Sequence, residues 1–156
     1  MKRNITVSEI ALSMRDFQKN NNIKKQCITN TQYLYDCIKP YTNVKAKAIF
    51  VVSTDTEIGI SVIVEGHLVV SNDNAIIEPS YDIFCLKNKI YCDNIKDLMN
   101  TCKDKINLTN MDIKRLVCKH IIFIKFAEQI NNGELIICDK KFYDDQADYI
   151  ENLYQK

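Results

Sequence analysis

Tryptophan is absent from this chain of 156 residues, and glycine (3) and proline (2) are scarce. The chain therefore has no linker rich in Gly, Pro or Ser at which two domains could be divided. It also contains no internal repeat and no low-complexity tract. We expect a single domain over residues 1–156, long enough to bury a core without the help of disulfides or a metal.

Long apolar runs are missing as well. No stretch approaches the ~18 apolar residues that a membrane-spanning helix needs, and the segment IIFIKF is interrupted by Lys125. The N-terminal sequence MKRNITVSEIALSMRDF has two basic residues but lacks the apolar segment of a signal peptide. These features predict no membrane partner, no export and a cytoplasmic location.

Neither sign of charge is in excess, since Lys+Arg is 21 and Asp+Glu is 20. A nucleic-acid-binding domain usually carries a basic excess, so no nucleic-acid partner is expected, and the lysine-rich stretch 19–25 supports that alternative only weakly. Asn, Ile and Lys are abundant, and AT-rich codons encode all three. The composition is typical of an AT-rich genome, for example a viral one, which would place the protein in the host cytoplasm or in a virion.

Cysteine, by contrast, is plentiful. The seven cysteines stand at positions 27, 37, 85, 92, 102, 118 and 138, with no CxxC motif. Their odd number and the missing export signal predict free thiols in a reducing compartment, most of them small core residues. No zinc-ligand spacing occurs, and Cys118 and His120 would point to different faces of a helix. We therefore predict no metal and no other cofactor.

Capping residues and hydrophobic periodicity predict an α+β domain. Helical spacing behind a capping residue predicts helices over 7–19, over 27–39, after Asp93, from Thr109 and Asp112 to 131–133, and over 143–154. Alternating apolar residues predict strands over 43–53, 58–70, 75–79, 88–92 and in GELIIC (133–138), with a hairpin turn at Asn72-Asp73-Asn74.

Three residues that could perform chemistry follow one another in this arrangement. Cys27 opens a helix, His67 lies on the second strand, and Glu78 follows the hairpin turn. A helix N-terminus favours a thiolate, and Lys24 and Lys25 add positive charge. A histidine can accept the thiol proton, and a carboxylate can hold the other imidazole nitrogen. The set predicts acyl transfer at a thiol.

Each of these residues also has a plainer interpretation. Cys27 could be one buried thiol among seven, His67 a strand residue on a half-exposed face beside Glu65, and Glu78 a surface carboxylate. The hairpin favours the catalytic interpretation, because the predicted register sets Glu78 opposite Leu68 and therefore next to His67.

Two segments, QCITNTQYLYDCIKPYTNVKAKAIFVV and GHLVVSNDNAIIEPSYD, resemble the core of the papain-like and transglutaminase-like cysteine enzymes over roughly residues 24–84. The resemblance implies a Cys helix packed on a small antiparallel sheet, with additional C-terminal helices. It makes Cys27 the nucleophile, His67 the general base and Glu78 the orienting carboxylate, while Gln26 would assist the oxyanion pocket. Glu78 replaces the commoner Asp, no Trp follows the histidine, and the Gly-rich lead-in to the cysteine is missing.

The expected function is that of a cysteine peptidase or amidohydrolase that cleaves a peptide or isopeptide bond through a Cys-His-Glu triad. Its partner would be a peptide or protein substrate, and water would accept the acyl group. The alternative is a non-enzymatic interaction or structural protein, such as a viral accessory or virion protein, that keeps a degenerate papain-like fold and binds partners through its tyrosine-containing C-terminal helices.

Overall fold

The computed structural model describes residues 6–54, 62–73, 75–103 and 105–154. Within these ranges the chain forms six helices and one four-stranded antiparallel sheet, so the α+β class is confirmed. The helices are α1 (Val7–Asn20), α2 (Cys27–Ile38), α3 (Tyr81–Phe84), α4 (Ile95–Cys102), α5 (Asn110–Asn131) and α6 (Lys140–Tyr154). The strands are β1 (Lys45–Thr54), β2 (Val62–Asn72), β3 (Ala75–Ile77) and β4 (Lys89–Cys92).

The sheet has the strand order β3-β2-β1-β4. β1 and β2 pair along their whole length, from Lys45 opposite Ser71 to Thr54 opposite Val62. β3 is much shorter and pairs with β2 only at residues 70–72. The outer edge of β2 is therefore not covered by β3 before residue 70.

Both faces of the sheet are buried at its centre. On one face Ala48, Leu68 and Val70 belong to a core shared with residues of α1, α2 and α5. On the opposite face Ile49, Val51 and Val69 are also inaccessible to solvent, and so is His67. The sequence predicted a mixed, half-exposed face for His67. The face is mixed, since Glu65 is exposed, but the prediction that His67 itself is half exposed is wrong.

Local capping signals identified the starts of two helices, α1 and α5, correctly. Thr6 and Thr109 both form the predicted capping boxes, with Glu9 and Asp112 respectively. The predicted cap at Asp93 is wrong, because Asn94 accepts the hydrogen bond from the N–H of Asp97. Asp93 forms an ion pair with Lys47 instead, at 2.8 Å.

The chain between α5 and α6 differs from the prediction. The segment GELIIC is irregular and not a strand. The backbone N–H and carbonyl of Ile136 in this segment bond to a side chain and not to a neighbouring strand. With its amide oriented to satisfy both groups, Gln32 donates to the carbonyl of Ile136 and accepts from its N–H. α6 begins at Lys140, earlier than predicted, because Asp139 accepts a hydrogen bond from the N–H of Phe142.

The cysteines are less buried than the sequence suggested. All seven are free, but only Cys92 and Cys102 are buried, whereas Cys85, Cys118 and Cys138 are exposed. The prediction that most of them are core residues is therefore wrong. Residues 58–61 of the predicted second strand lie outside the described residues. In the part of the chain that the structure describes, no helix has the length and apolar character needed to cross a membrane.

Candidate functional site

A buried pair of side chains forms the centre of the candidate site. His67 is 2 % exposed and Glu78 is 5 % exposed. Nε2 of His67 lies 2.9 Å from Oε1 and 2.8 Å from Oε2 of Glu78. The surface interpretation of Glu78 is therefore wrong, and the two residues that the hairpin argument paired are in direct contact.

The register that produces this contact differs from the predicted one. Ile77 lies opposite Val70, which shifts the ladder by one residue, and β3 ends there. Glu78 is thus beyond the last ladder pair and not opposite Leu68. The shift arises because Asn72 already pairs with Ala75, and Asp73, which follows Asn72, has a φ of 45°.

The carboxylate of Glu78 has two further hydrogen-bond donors. The hydroxyl of Tyr91 donates to Oε1 at 2.8 Å, and the N–H of Ser80 donates to Oε2 at 3.0 Å. Arg15 donates to the backbone carbonyl of the same residue at 3.0 Å. Burying a carboxylate is costly unless its oxygens are hydrogen-bonded, and here both of them are.

Cys27 is the first residue of α2, and the backbone before it has an unusual conformation. Lys25 has a φ of 59°, in the left-handed region, and its N–H donates to Oδ2 of Asp82 at 3.1 Å. Gln26 occupies the N-cap position without a side-chain capping bond. The free N–H groups of the first helical turn therefore surround Cys27, and they favour a negative charge there.

Cys27 and Glu78 contact the same imidazole. Burial alone would lower the pKa of His67, but the hydrogen bonds and charges of Cys27 and Glu78 outweigh burial and raise that pKa well above its ordinary value of 6.5. Since Glu78 occupies Nε2, the nitrogen left for Cys27 is Nδ1. A protonated imidazole thus lies between two groups that can be anionic.

The site opens into a pocket of about 380 Å³. Residues 25–28 form one wall and residues 65–67 another, while Lys119 and Phe123 of α5 approach from a third side. Gln26 lies on this pocket beside Cys27. Within the described ranges, no group of three or more His, Cys, Asp or Glu side chains is arranged to hold a metal ion.

The segment Glu78–Asp82, called here the anchor segment, connects the site to the rest of the fold. Gln18 of α1 donates to the carbonyl of Pro79 at 2.8 Å and accepts from the N–H of Tyr81 at 2.7 Å. Asn30 of α2 donates to the hydroxyl of Ser80 at 2.9 Å. The same five residues that supply the carboxylate therefore hold α1 and α2 in place.

Sequence reasoning missed Tyr91 and Ser80, which donate hydrogen bonds to Glu78. It also missed Cys138, which lines the pocket. The Ser80 bond is local, since its N–H donates to the side chain two residues earlier, but that pattern is typical of Asp, Asn, Ser and Thr and not of Glu. Tyr91 and Cys138 come from distant parts of the chain, and no local signal marks them.

No family model, no curated protein and no solved structure matches this chain. Function must therefore be inferred from the geometry of the site.

Proposed function

We propose that the protein is a cysteine hydrolase in which Cys27 is the nucleophile, His67 the general acid–base and Glu78 the orienting carboxylate. One observation carries the proposal: Glu78 holds Nε2 of His67, which leaves Nδ1 for a thiol at a helix start, on an open pocket. A His–Glu pair that served only the core would need neither the thiol nor the pocket.

The chemistry follows from the positions of these groups. The Cys27 sulfur attacks a carbonyl carbon, and the developing oxyanion faces the N–H of Cys27 and the amide of Gln26. His67 gives its proton to the leaving amine, which departs as the thioester forms. The neutral imidazole then takes a proton from water, which attacks the thioester and releases the acid.

The edge of β2 supports a peptide as the substrate. The hydroxyl of Thr31 donates to the carbonyl of Leu68 at 3.2 Å, so this carbonyl points away from β1. Backbone groups alternate in direction along a strand, so the N–H and C=O of Gly66 also point away from β1. β3 does not reach this position. An extended peptide could pair with Gly66 and present its carbonyl to Cys27.

The order of elements is the basis for a finer fold proposal, a papain-like or transglutaminase-like core. A Cys helix precedes an antiparallel strand pair with the histidine on its second strand, and an acidic residue follows the next turn. The longer side chain of Glu78 suits its place beyond the end of β3, where a shorter Asp would have less reach.

The second candidate is a non-enzymatic interaction protein, for example a viral accessory protein with a degenerate site. It is favoured by apolar side chains left exposed on α5, where Met111, Ile121 and Ile122 are at least half exposed. Such residues are common in interfaces. In this case the pocket would bind no substrate, and the Cys27 thiol would react no faster than the others.

The test is selective alkylation of the native protein with iodoacetamide at about pH 6, where ordinary thiols are protonated. We expect Cys27 to react at least about tenfold faster than the exposed Cys85 and Cys118, because His67 takes its proton. Peptide mass spectrometry measures the modification at each cysteine. His67→Gln should remove the difference, and Cys118→Ser, the matched control, should leave it unchanged.

Equal rates at Cys27, Cys85 and Cys118 would contradict the proposal and favour the interaction protein. If Cys27 reacts first, hydrolysis of a mixed peptide library by the wild-type protein and by Cys27→Ala shows whether the reactive thiol is catalytic. Urea unfolding of each variant establishes that it is folded.

A further inference from the structure

A second thiol lies on the same pocket as Cys27. Cys138 belongs to the irregular segment between α5 and α6, yet it lines the pocket together with Cys27 and His67. Burial raises the pKa of the Cys138 thiol, and the nearby Cys27 raises it further. Both thiols therefore face the same cavity, although their positions in the sequence differ by 111.

The position of Cys138 is fixed on both sides, although its segment lacks regular structure. Two residues before it, Ile136 is bound through both its N–H and its carbonyl by Gln32 of α2. One residue after it, Asp139 accepts from the N–H of Phe142 at 3.0 Å and so begins α6. Because α2 also carries Cys27, one helix positions both thiols.

We propose that Cys138 is a resolving thiol, which forms a disulfide with Cys27 when a hydroperoxide oxidises the nucleophile. The proposal rests on the proposed function in one respect, since it requires Cys27 to be a reactive thiolate. It adds a modification site and a reversible block of the pocket, with hydrogen peroxide or an alkyl hydroperoxide as the oxidant.

The reaction has two balanced steps. In the first, the Cys27 thiolate attacks one peroxide oxygen: the S–O bond forms, the O–O bond breaks, and the leaving oxygen takes the proton of the His67 imidazolium. In the second, the Cys138 sulfur attacks the sulfenic sulfur: the S–S bond forms, and hydroxide leaves with the thiol proton as water. Two electrons pass from the two thiols to the peroxide.

The surroundings assign different roles to the two thiols. Cys138 has a raised pKa and remains a neutral thiol at neutral pH, so it is a poor first target for peroxide. Cys27, at the helix start beside His67, is the first target. The disulfide then removes the nucleophile and protects its sulfur from irreversible oxidation to the sulfinic acid.

The test treats the reduced protein with one equivalent of hydrogen peroxide, blocks the remaining thiols with N-ethylmaleimide and maps disulfides by mass spectrometry without reductant. Trypsin releases Cys138 as its only cysteine in peptide 126–140, whereas peptide 26–45 carries both Cys27 and Cys37. Fragment ions must therefore place the bond. We expect a Cys27–Cys138 link that dithiothreitol reverses, with full recovery of alkylation at Cys27.

Cys138→Ser should abolish the link. With three equivalents of peroxide, because the sulfinic acid requires a second equivalent, Cys27 of this variant should proceed to the sulfinic acid and lose most of its recovery with dithiothreitol, whereas the wild type treated in the same way should not. Cys118→Ser, which removes another exposed thiol, should give the wild-type yield of the link. The inference is overturned if Cys27 is the first thiol to be alkylated but forms no disulfide with Cys138. It is also overturned if dithiothreitol restores alkylation of Cys27 as fully in Cys138→Ser as in the wild type. If Cys27 does not alkylate first, the proposed function fails, and the resolving role fails with it.

Discussion

At the scale of single residues, Glu78 shows how a carboxylate can be held inside this protein. Its two oxygens receive hydrogen bonds from His67, Tyr91 and Ser80. Burial and the neighbouring Glu78 raise the pKa of Tyr91, so its phenol keeps its proton and acts as a donor. Tyr91 therefore orients the carboxylate that in turn orients the imidazole.

Replacing Tyr91 with Phe should lower the free energy of unfolding by about 1–2 kcal/mol, because one hydrogen bond to a largely buried carboxylate is lost. Urea unfolding measures the change. The Tyr91→Phe substitution should also slow alkylation of Cys27 at about pH 6, since Glu78 and therefore His67 would be less firmly oriented.

Tyr143→Phe is the matched control for this substitution. The hydroxyl of Tyr143 donates to the carboxylate of Asp36 at 3.0 Å, but this pair is exposed and remote from the pocket. Its loss should cost less than about 1 kcal/mol and leave the alkylation of Cys27 unchanged. Equal effects of the two substitutions would show that Tyr91 has no special role.

At the scale of elements, α2 both opens with the nucleophile and covers the edge of β2. Thr31 lies one turn after Cys27, and its hydroxyl satisfies the carbonyl of Leu68 that β3 is too short to reach. This bond joins α2 directly to β2, in addition to the apolar packing between them. Because Cys27 and His67 belong to these two elements, the bond helps to hold the thiol near the imidazole.

Two threonines of α2 offer a paired test of this bond. Thr31→Val preserves shape but leaves the buried Leu68 carbonyl without a donor, so it should destabilise the protein by about 1–3 kcal/mol. Thr29 is equally buried, yet its hydroxyl has no hydrogen-bond partner among the described residues. Thr29→Val should therefore be neutral or stabilising. Thermal or urea unfolding measures the stability of both variants. An equal loss of stability in the two would contradict the role assigned to Thr31.

At the scale of the whole molecule, the features predicted from sequence were those encoded by neighbouring residues. The capping boxes at Thr6 and Thr109 join residues only three positions apart. His67 and Glu78 are connected through one hairpin, so their proximity could be predicted even though the register was wrong by one residue. The turn residues Asn72-Asp73-Asn74 did not reveal that Asn72 still belongs to the ladder and pairs with Ala75.

The remaining features depend on packing between distant segments. The burial of His67 could not be predicted from the alternation within β2, because it depends on Glu78 and on the side chains of α1 and β4 that hold Glu78 in place. The contact of Gln18 with Gln146, at 3.0 Å, joins residues 128 positions apart. Cys138 likewise reaches the pocket only because α5 and α6 return the chain to α2. No pattern in one stretch of sequence encodes such contacts.

The anchor segment has a consequence for hydrogen exchange. Backbone amides without a backbone acceptor normally exchange quickly, yet three such amides, two in the anchor segment and one just before α2, each donate to a side chain: Lys25 to Asp82, Ser80 to Glu78, and Tyr81 to Gln18. These bonds join α1, α2 and the anchor segment, so none of them can open freely without disturbing the others. The three amides should therefore exchange slowly and at similar rates, as one cooperative unit.

Hydrogen–deuterium exchange followed by NMR measures these rates, and the amide of Leu135, an exposed residue in the irregular segment before α6, serves as the fast reference. Exchange of the three amides as fast as that of Leu135 would contradict cooperative opening. If the three amides are protected together, Cys27 and His67 separate only when the surrounding fold opens. The site then persists for as long as the molecule stays folded.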